Sequence, residues 1–168
     1  MPPRNMTRAS VPVKIILVLI FLSQFLLFPA PCYSESVNSL SVYISTPEEL
    51  AVWISRNLTY EFTFGGKRPQ TLQEFLDSKS GNCEDFANLA SELLTRNGIN
   101  NEVIVLRFNG IQIHHAICIW KDKNGTYSFI SNEKLYKTDE TSLENTVAKF
   151  FPSCAKILKY SEARIAWL

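Results

Sequence analysis

Residues able to carry out acyl transfer stand on three consecutive segments of this sequence. Cys83 opens a segment with an apolar stripe, His114 and His115 lie in a later apolar run, and Ser131 and Asn132 end the run after that. A cysteine thiolate is a nucleophile, a neutral imidazole can take up its proton, and a polar third group can orient the imidazole. Nucleophile, base and orienting residue in this order form a triad pattern.

The position of Cys83 favours ionisation of its thiol. Asn82 can cap a helix that begins at Cys83, where unpaired backbone N–H groups and the positive end of the helix dipole stabilise a thiolate. Because side chains alternate along a strand, only one of His114 and His115 can face this helix. An inert core cysteine and a structural histidine are the competing interpretation of the same residues.

The helix that carries Cys83 belongs to a helical first half. A threonine, a proline and two glutamates at residues 46–49 predict a helix start, because they supply a cap, a first helical residue and a capping-box partner. A second helix is predicted over residues 71–77, and the nucleophile helix runs from Cys83 to the C-terminal cap Gly98. Its apolar stripe comprises Phe86, Leu89, Ala90, Leu93 and Leu94.

Apolar runs separated by Asn-Gly turns dominate the second half. Strands are predicted at 103–106, 111–120 and 127–130, with turns at Asn109-Gly110 and Asn124-Gly125. A helix is expected over 141–150, and residues 155–160 and 163–168 can add one or two strands. The predicted fold class is α+β, with N-terminal helices and the nucleophile helix packed on an antiparallel sheet.

The segment GNCEDFA at residues 81–87 resembles the nucleophile helix of the transglutaminase-like superfamily. It most resembles the bacterial transglutaminase-like cysteine peptidases, whose helix opens with Gly-Asp-Cys-Glu-Asp-Phe-Ala. His115-Ala116 matches the His-Ala strand of that family, which selects His115 over His114 as the catalytic base. The resemblance covers residues 46–135 and implies a papain-like or transglutaminase-like α+β core.

Two positions depart from the family pattern. The catalytic aspartate of the family falls on Ser131, and the aspartate before the nucleophile falls on Asn82. A serine can accept a hydrogen bond from the imidazole but brings no negative charge, so Ser131 fits by position. Asn132 fits by chemistry, since asparagine orients the histidine in papain-like enzymes. Both remain candidates for orienting His115.

The resemblance also raises the question of calcium, which some family members bind beside the nucleophile. Glu84 and Asp85 are retained here, but Asn82 offers only a neutral carbonyl oxygen, so we expect no metal or a weak calcium site. For the oxyanion, the backbone N–H of Cys83 and a donor from the preceding loop are expected. Gln70 and Gln73 are candidates for that donor.

The first residues of the chain form a targeting segment. Three basic residues precede an uncharged apolar run at residues 15–28, and prolines and small residues follow. This order is typical of a secretory signal, and the run is shorter than the roughly 20 residues of a membrane span. We therefore predict a signal peptide at 1–32 and export to the periplasm or the exterior. A retained N-terminal anchor is the alternative, and only it would bring the protein to a membrane.

Composition limits the remaining functions. The chain has 168 residues, 46% of them hydrophobic, and a net charge of +1, which gives no electrostatic basis for binding nucleic acid. Two histidines are too few for a multi-histidine metal centre. Residues 33–45 are predicted as a linker and 46–168 as one domain. Whether Cys118 and Cys154 form a disulfide stays open.

Together these features predict an exported thiol hydrolase or acyltransferase. It would act on amide bonds of a peptide or protein through a thioester at Cys83, with water rather than an amine as the expected acceptor, and without an organic cofactor. A transglutaminase-like domain that has lost catalysis and serves as a binding module is the alternative. Its support is the serine that stands at the position of the family's aspartate.

Overall fold

The computed structural model of the chain describes residues 35–62, 68–110 and 113–165. Its helices are α1 (Val37–Tyr43), α2 (Pro47–Asn57), α3 (Leu72–Ser78), α4 (Cys83–Arg96), α5 (Leu143–Phe150) and α6 (Tyr160–Ile165). Its strands are β1 (Thr59–Tyr60), β2 (Ser80–Gly81), β3 (Asn101–Phe108), β4 (His114–Lys121), β5 (Tyr127–Ser131), β6 (Lys134–Lys137) and β7 (Cys154–Lys159). None of the helices in these ranges is long and apolar enough to cross a membrane. The signal segment predicted at 1–32 lies outside them.

Five strands form one antiparallel sheet in the order β6-β5-β4-β3-β7. The two-residue strands β1 and β2 pair in parallel beside it as a separate sheet. Helices precede the large sheet along the chain, and α4 packs on its central strands β3 and β4. The predicted α+β architecture, with the nucleophile helix on an antiparallel sheet, is confirmed.

One face of the large sheet is covered by α4. Phe86, Leu89 and Leu93 of this helix are fully buried against a core that includes Ala116 and Cys118 of β4. Each such leucine or phenylalanine stabilises the fold by about 1.5–3 kcal/mol. Packing therefore fixes the place of α4 on the sheet, and with it the place where the helix begins.

The opposite face of the sheet carries a second, aromatic core. The ring of Phe129 stacks on Tyr136 at 4.8 Å and meets the edge of Phe150 at 5.2 Å between centroids. Val147 of α5 is buried in the same cluster. The sheet is thus covered on both faces, which explains why β3 and β4 are continuously apolar in sequence.

The prediction of a linker at residues 33–45 is wrong for most of that segment. Residues Val37–Tyr43 form α1, whose cap Ser36 and third residue Ser39 exchange hydrogen bonds of 3.0 and 3.1 Å. Leu40 and Ile44 are buried in the core beside α4. Their four-residue spacing was the available signal, but a helix of two turns gives too short a pattern to stand out from a linker.

The C-terminal strand expected at residues 163–168 is also wrong where the structure describes it. Residues Tyr160–Ile165 form α6, directly after β7, and Ala163 is fully buried. The Glu162 carboxylate accepts a hydrogen bond from the Lys159 backbone N–H at 3.4 Å, which favours a helix start at this point. Residues 166–168 lie outside the described ranges.

The cysteines in the described ranges, Cys83, Cys118 and Cys154, are all free thiols. Cys118 belongs to the core under α4, whereas Cys154 packs with the aromatic core on the other face of the sheet. The sheet therefore separates the two residues whose pairing the sequence left open. The thiol of Cys118 is fully buried, which excludes it from surface chemistry.

Candidate active site

The start of α4 is fixed by a reciprocal cap. The side-chain oxygen of Asn82 accepts hydrogen bonds from the backbone N–H groups of Glu84 at 2.9 Å and Asp85 at 3.4 Å. In return, the Asp85 carboxylate accepts one from the Asn82 backbone N–H at 2.9 Å. Because Cys83 is the first helical residue after this cap, its thiol is held at the N-terminus of α4.

Asp85 also joins the start of α4 to the loop before α3. Its buried carboxylate accepts hydrogen bonds from the Gln70 backbone N–H at 2.8 Å and from the Gln70 side-chain amide at 3.3 Å. Gly81 leaves room for this contact, because a Cβ atom there would lie 2.7 Å from Asp85 Oδ2 and 2.7 Å from the Phe75 ring. Gly81 and Asp85 of the GNCEDFA segment therefore pack directly against each other.

The sulfur of Cys83 lies against the backbone of β4, where it accepts a hydrogen bond from the N–H of Ala116. The β4–β5 ladder begins only at the pair Cys118–Ile130, two residues further along β4. Ala116 therefore lies outside the part of β4 that pairs with β5, and its N–H can donate a hydrogen bond to the thiol. The thiol is thus placed at the open end of the ladder.

His115 lies on β4 directly before Ala116. Its Nε2 is 2.7 Å from the Oγ of Ser131, which ends β5. The ring packs against Phe151, with 5.7 Å between ring centroids. The thiol is thus hydrogen-bonded to the backbone of the residue that follows His115, and the imidazole contacts the hydroxyl that ends β5.

The two histidines lie on opposite faces of the sheet, as alternation predicts. His114 shares the face of Ala116 and α4, whereas His115 shares the face of Phe129 and the aromatic core. The His115 ring therefore starts from the face opposite α4, next to the end of the β4–β5 ladder, where it contacts Ser131.

Of the two residues considered for orienting His115, Ser131 makes the contact. Asn132 is the first residue of the β5–β6 turn and has a φ of 51°, a left-handed conformation that asparagine tolerates well. Its side-chain oxygen is buried and has no hydrogen-bond partner among the described residues. Asn132 thus shapes the turn, and Ser131 faces the imidazole.

Burial favours the neutral forms of both reacting groups. Burial raises the pKa of the Cys83 thiol, and the negative charge of Glu84 raises it further, although the N–H of Ala116 opposes the shift. Burial also lowers the pKa of His115 to about 4. The thiolate expected from the helix N-terminus is therefore not the resting form, which is a neutral thiol beside a neutral imidazole.

Tyr60 is a member of the site that sequence reasoning missed. Burial, and then the negative charge of an ionised Cys83, raise the pKa of its phenol, which places the hydroxyl within electrostatic reach of the sulfur. Tyr60 pairs with Gly81 across β1 and β2, and its ring meets the edge of Phe86 at 6.2 Å. Its backbone N–H donates to Glu133 at 3.1 Å. A two-residue strand leaves no periodic signal in the sequence.

A family model described as a transglutaminase-like domain matches residues 34–150 of this chain. The chain belongs to the transglutaminase-like family. This confirms the resemblance carried by the GNCEDFA segment. No curated protein sequence matches the chain.

Solved structures share the fold of this transglutaminase-like domain at low sequence identity. Calcium-bound LapG from Legionella pneumophila superposes with a TM-score of 0.50 at 15% identity, over 74% of this chain and 74% of LapG. Another LapG structure from that organism gives 0.49 at 14% identity, over 79% and 76% of the two chains. A candidate cysteine protease from Cytophaga hutchinsonii gives 0.45 at 16% identity, over 89% of this chain and 53% of that protein.

The residues considered for calcium do not fit that ion in this transglutaminase-like domain. The Asn82 side-chain oxygen and both Asp85 carboxylate oxygens already accept backbone or amide N–H groups. Calcium takes six to eight oxygen ligands, and these three oxygens instead face N–H donors of the chain. Within the described ranges no cluster of three or more acidic, histidine or cysteine side chains forms a metal site. Asp85 is therefore a structural cap of the nucleophile helix.

The two glutamines considered as oxyanion donors are engaged elsewhere. The Gln70 amide donates to the Ser80 carbonyl at 2.8 Å and to Asp85. The Gln73 amide donates to the Glu35 carbonyl at 3.2 Å and to Asp77 at 2.9 Å. The hydroxyl of Tyr60 is the side-chain donor that the described site places near the sulfur instead.

Proposed function

We propose that this transglutaminase-like domain is a thiol hydrolase or acyltransferase that acts on amide bonds of a peptide or protein. The observation that supports it is the hydrogen bond of the Cys83 sulfur to the backbone of Ala116, the residue directly after His115, whose imidazole contacts the Ser131 hydroxyl. The chemistry needs no organic cofactor, because all proton and acyl transfers use side chains of this chain.

In the first half-reaction the Cys83 sulfur attacks the substrate carbonyl carbon while its proton passes to Nδ1 of His115. The electron pair of the carbonyl moves to its oxygen, which is stabilised by the Cys83 backbone N–H and the Tyr60 hydroxyl. The C–N bond then breaks, and His115 returns its proton to the leaving amine. An acyl thioester on Cys83 remains.

In the second half-reaction water attacks the thioester carbonyl as His115 takes a proton from it. The C–S bond breaks, the carboxylic acid departs, and the proton returns to the sulfur. An amine in place of water would give a new amide and make the protein a transferase. The neutral resting pair supports proton transfer concurrent with attack, since neither group is charged before substrate arrives.

Export is part of the proposal. It is supported by the order of basic, apolar and small residues at 1–32, which is typical of a secretory signal. Removal of that segment leaves 14 basic residues against 16 acidic ones, so the mature domain would be weakly acidic. Its substrate would then be a peptide or protein outside the cytoplasm.

A catalytically inactive binding module is the second candidate. It is favoured by the combination of a raised Cys83 pKa, a lowered His115 pKa and a serine facing His115. In a serine protease, loss of the triad carboxylate lowers turnover by about 10⁴-fold. A site with this handicap would serve for recognition if the thiol were unreactive.

Acetylation by p-nitrophenyl acetate tests the two candidates. The full chain is treated at pH 7.5, release of p-nitrophenolate is followed, and peptide mass spectrometry identifies the acetylated cysteine. We expect a thioester at Cys83 that forms and hydrolyses repeatedly. Cys83→Ala should abolish turnover, and His115→Ala should slow acetylation at least about a hundredfold, the typical contribution of a general base. Unchanged acetylation without His115 would favour the binding module.

A further inference from the structure

Three basic residues lie side by side across three strands of the large sheet. Arg107 of β3 is directly opposite His114 of β4 and directly opposite Lys156 of β7. Directly opposed residues point to the same face, and neighbouring strands are about 4.8 Å apart. His114, Arg107 and Lys156 therefore form a basic row about 10 Å long on one face of the sheet.

The basic row lies on the α4 face of the sheet, next to the nucleophile. The adjacent row on that face is Ala116, Val105 and Leu158, which pair with one another in the same way and belong to the core under α4. Two residues along a strand span about 6.8 Å. The Cys83 sulfur accepts a hydrogen bond from the Ala116 N–H. The basic row therefore lies one row further along the strands than the sulfur, past the N-terminus of α4.

Two members of the basic row form no ion pair with an acidic side chain of the described residues. None of the ion pairs within the described ranges includes Arg107 or Lys156. The Nε of Arg107 is buried and has no hydrogen-bond partner among the described residues. A buried N–H without an acceptor is costly, so the Arg107 guanidinium would gain hydrogen bonds by turning toward an anionic partner.

The third member, His114, acts as a polar neighbour and not as a third cation. Burial and the charge of Arg107 lower the pKa of His114, so its ring is neutral at pH 7. The carboxylate that acts on the Cys83 thiol is Glu84, the next residue of α4. The basic row therefore consists of two cations, Arg107 and Lys156, and one neutral polar ring.

We propose that the basic row is an anion subsite that binds a carboxylate of the substrate close to the amide that Cys83 attacks. This rests on the proposed function, because only a reacting Cys83 gives the row a substrate. The fixed guanidinium fork of Arg107 matches a carboxylate, and the N-terminus of α4 adds its positive dipole. The substrate class is a peptide with an acidic side chain or a free C-terminus beside the cleaved bond.

Iodoacetate and iodoacetamide test this subsite, because they alkylate a thiolate in the same way and differ only in a carboxylate. The rate at Cys83 of the full chain is measured for both reagents at pH 8 by peptide mass spectrometry. The ratio of the iodoacetate rate to the iodoacetamide rate should exceed that of a free cysteine peptide. It should fall as salt increases from 20 to 500 mM, because salt screens the cations.

Lys156→Gln, at an exposed position, should lower this ratio about threefold, and division by the iodoacetamide rate removes any effect of the substitution on ionisation of the thiol. Lys156→Glu should lower it about tenfold, and Arg107→Gln should act in the same direction. Lys121→Gln, at the other end of β4, is the matched control and should leave the ratio unchanged. An unaltered ratio in both Lys156 variants overturns the subsite.

His115→Ala separates failure of the subsite from failure of the proposed function. Loss of the imidazole should slow both reagents together at neutral pH and leave their ratio intact. A rate that does not depend on His115 would overturn the proposed function, whereas a ratio that does not depend on Lys156 would overturn only the subsite.

Protection of Cys83 from iodoacetamide distinguishes the two sources of the carboxylate. The isomers N-acetyl-glutamic acid α-amide and N-acetyl-glutamine carry it on the side chain and at the C-terminus respectively, and N-acetyl-glutamine amide carries none. Stronger protection by either isomer than by the neutral amide supports the subsite and identifies the source. Equal protection by all three contradicts it.

Discussion

The Nε2 of His115 and the Oγ of Ser131 are 2.7 Å apart. A hydroxyl therefore contacts the imidazole at a position where a carboxylate would determine which ring nitrogen carries the proton. A carboxylate only accepts hydrogen bonds and would require a proton on Nε2, which leaves Nδ1 free to take the thiol proton. A hydroxyl both donates and accepts, so it permits either tautomer. It also adds no charge to stabilise imidazolium. The contact with Ser131 therefore leaves unopposed the burial that lowers the pKa of His115 to about 4.

Ser131→Asp should therefore raise the pKa of His115 and increase the acetylation rate of Cys83 by at least about tenfold at pH 7.5. The gain follows because the restored carboxylate selects the productive tautomer and stabilises imidazolium, an interaction that contributes up to about 10⁴-fold in serine proteases. The rate is measured with p-nitrophenyl acetate, and the histidine titration by NMR.

Asn132→Asp is the control for this change, because it places a carboxylate one residue away in the turn, where the side-chain oxygen makes no hydrogen bond to the imidazole. It should leave the rate within about twofold of the original chain. Equal effects of the two substitutions would mean that Ser131 has no special relation to His115.

Tyr60→Phe should slow acetylation of Cys83 by about ten- to a hundredfold while leaving alkylation by iodoacetamide unchanged. Acetylation passes through an oxyanion that the phenol hydroxyl would stabilise, whereas alkylation forms none. The phenylalanine keeps the ring contact with Phe86, so packing is retained. Tyr127→Phe, at the far end of β5, is the matched control. Parallel losses with both reagents would indicate a structural role for Tyr60 instead.

Stability of the fold should decrease as the pH falls from 6.5 to 4. His115 has a pKa of about 4 in the folded chain and about 6.5 when unfolded, so over this range the unfolded chain binds the proton and the folded chain does not. The loss attributable to His115 is about 3 kcal/mol once the pH is well below 4. It is measured as the free energy of unfolding in urea at several pH values.

The difference between the original chain and His115→Asn isolates this contribution from that of titrating carboxylates. The stability of His115→Asn should depend less steeply on pH between 6.5 and 4. His114→Asn serves for comparison, because the pKa of His114 is lowered less than that of His115 and its ring is less buried. Identical pH profiles for the original chain and His115→Asn would refute the low pKa of His115.

The sequence predicted the parts of this molecule that have a strong local signal. The start of α4, its apolar stripe and the Asn-Gly turns each follow from a few neighbouring residues, and the structure has them as expected. The motif around Cys83 also identified the family correctly. These features depend on spacing within one element, which a single sequence displays directly.

The sequence did not predict features that arise from contacts between distant segments. Tyr60 approaches Cys83 through a two-residue parallel pairing, and its backbone is held by Glu133, 73 residues away. The neutral resting state of the thiol reflects how deeply packing buries it, which overrides the effect of the helix dipole. Alternation gave the opposite faces of the two histidines, but not the packing of Phe151, from a later segment, on the His115 ring.

Gly81→Ala should destabilise the fold by about 1–3 kcal/mol and also slow alkylation of Cys83. An added methyl group would lie 2.7 Å from both Asp85 Oδ2 and the Phe75 ring, so the start of α4 must shift, and the thiol with it. Gly125→Ala is the control, since its cost comes only from a positive φ of 86° in a remote turn. Urea unfolding and the iodoacetamide rate are measured for both. If both variants lose stability but keep the original rate at Cys83, the packing of Gly81 against Asp85 does not position the nucleophile.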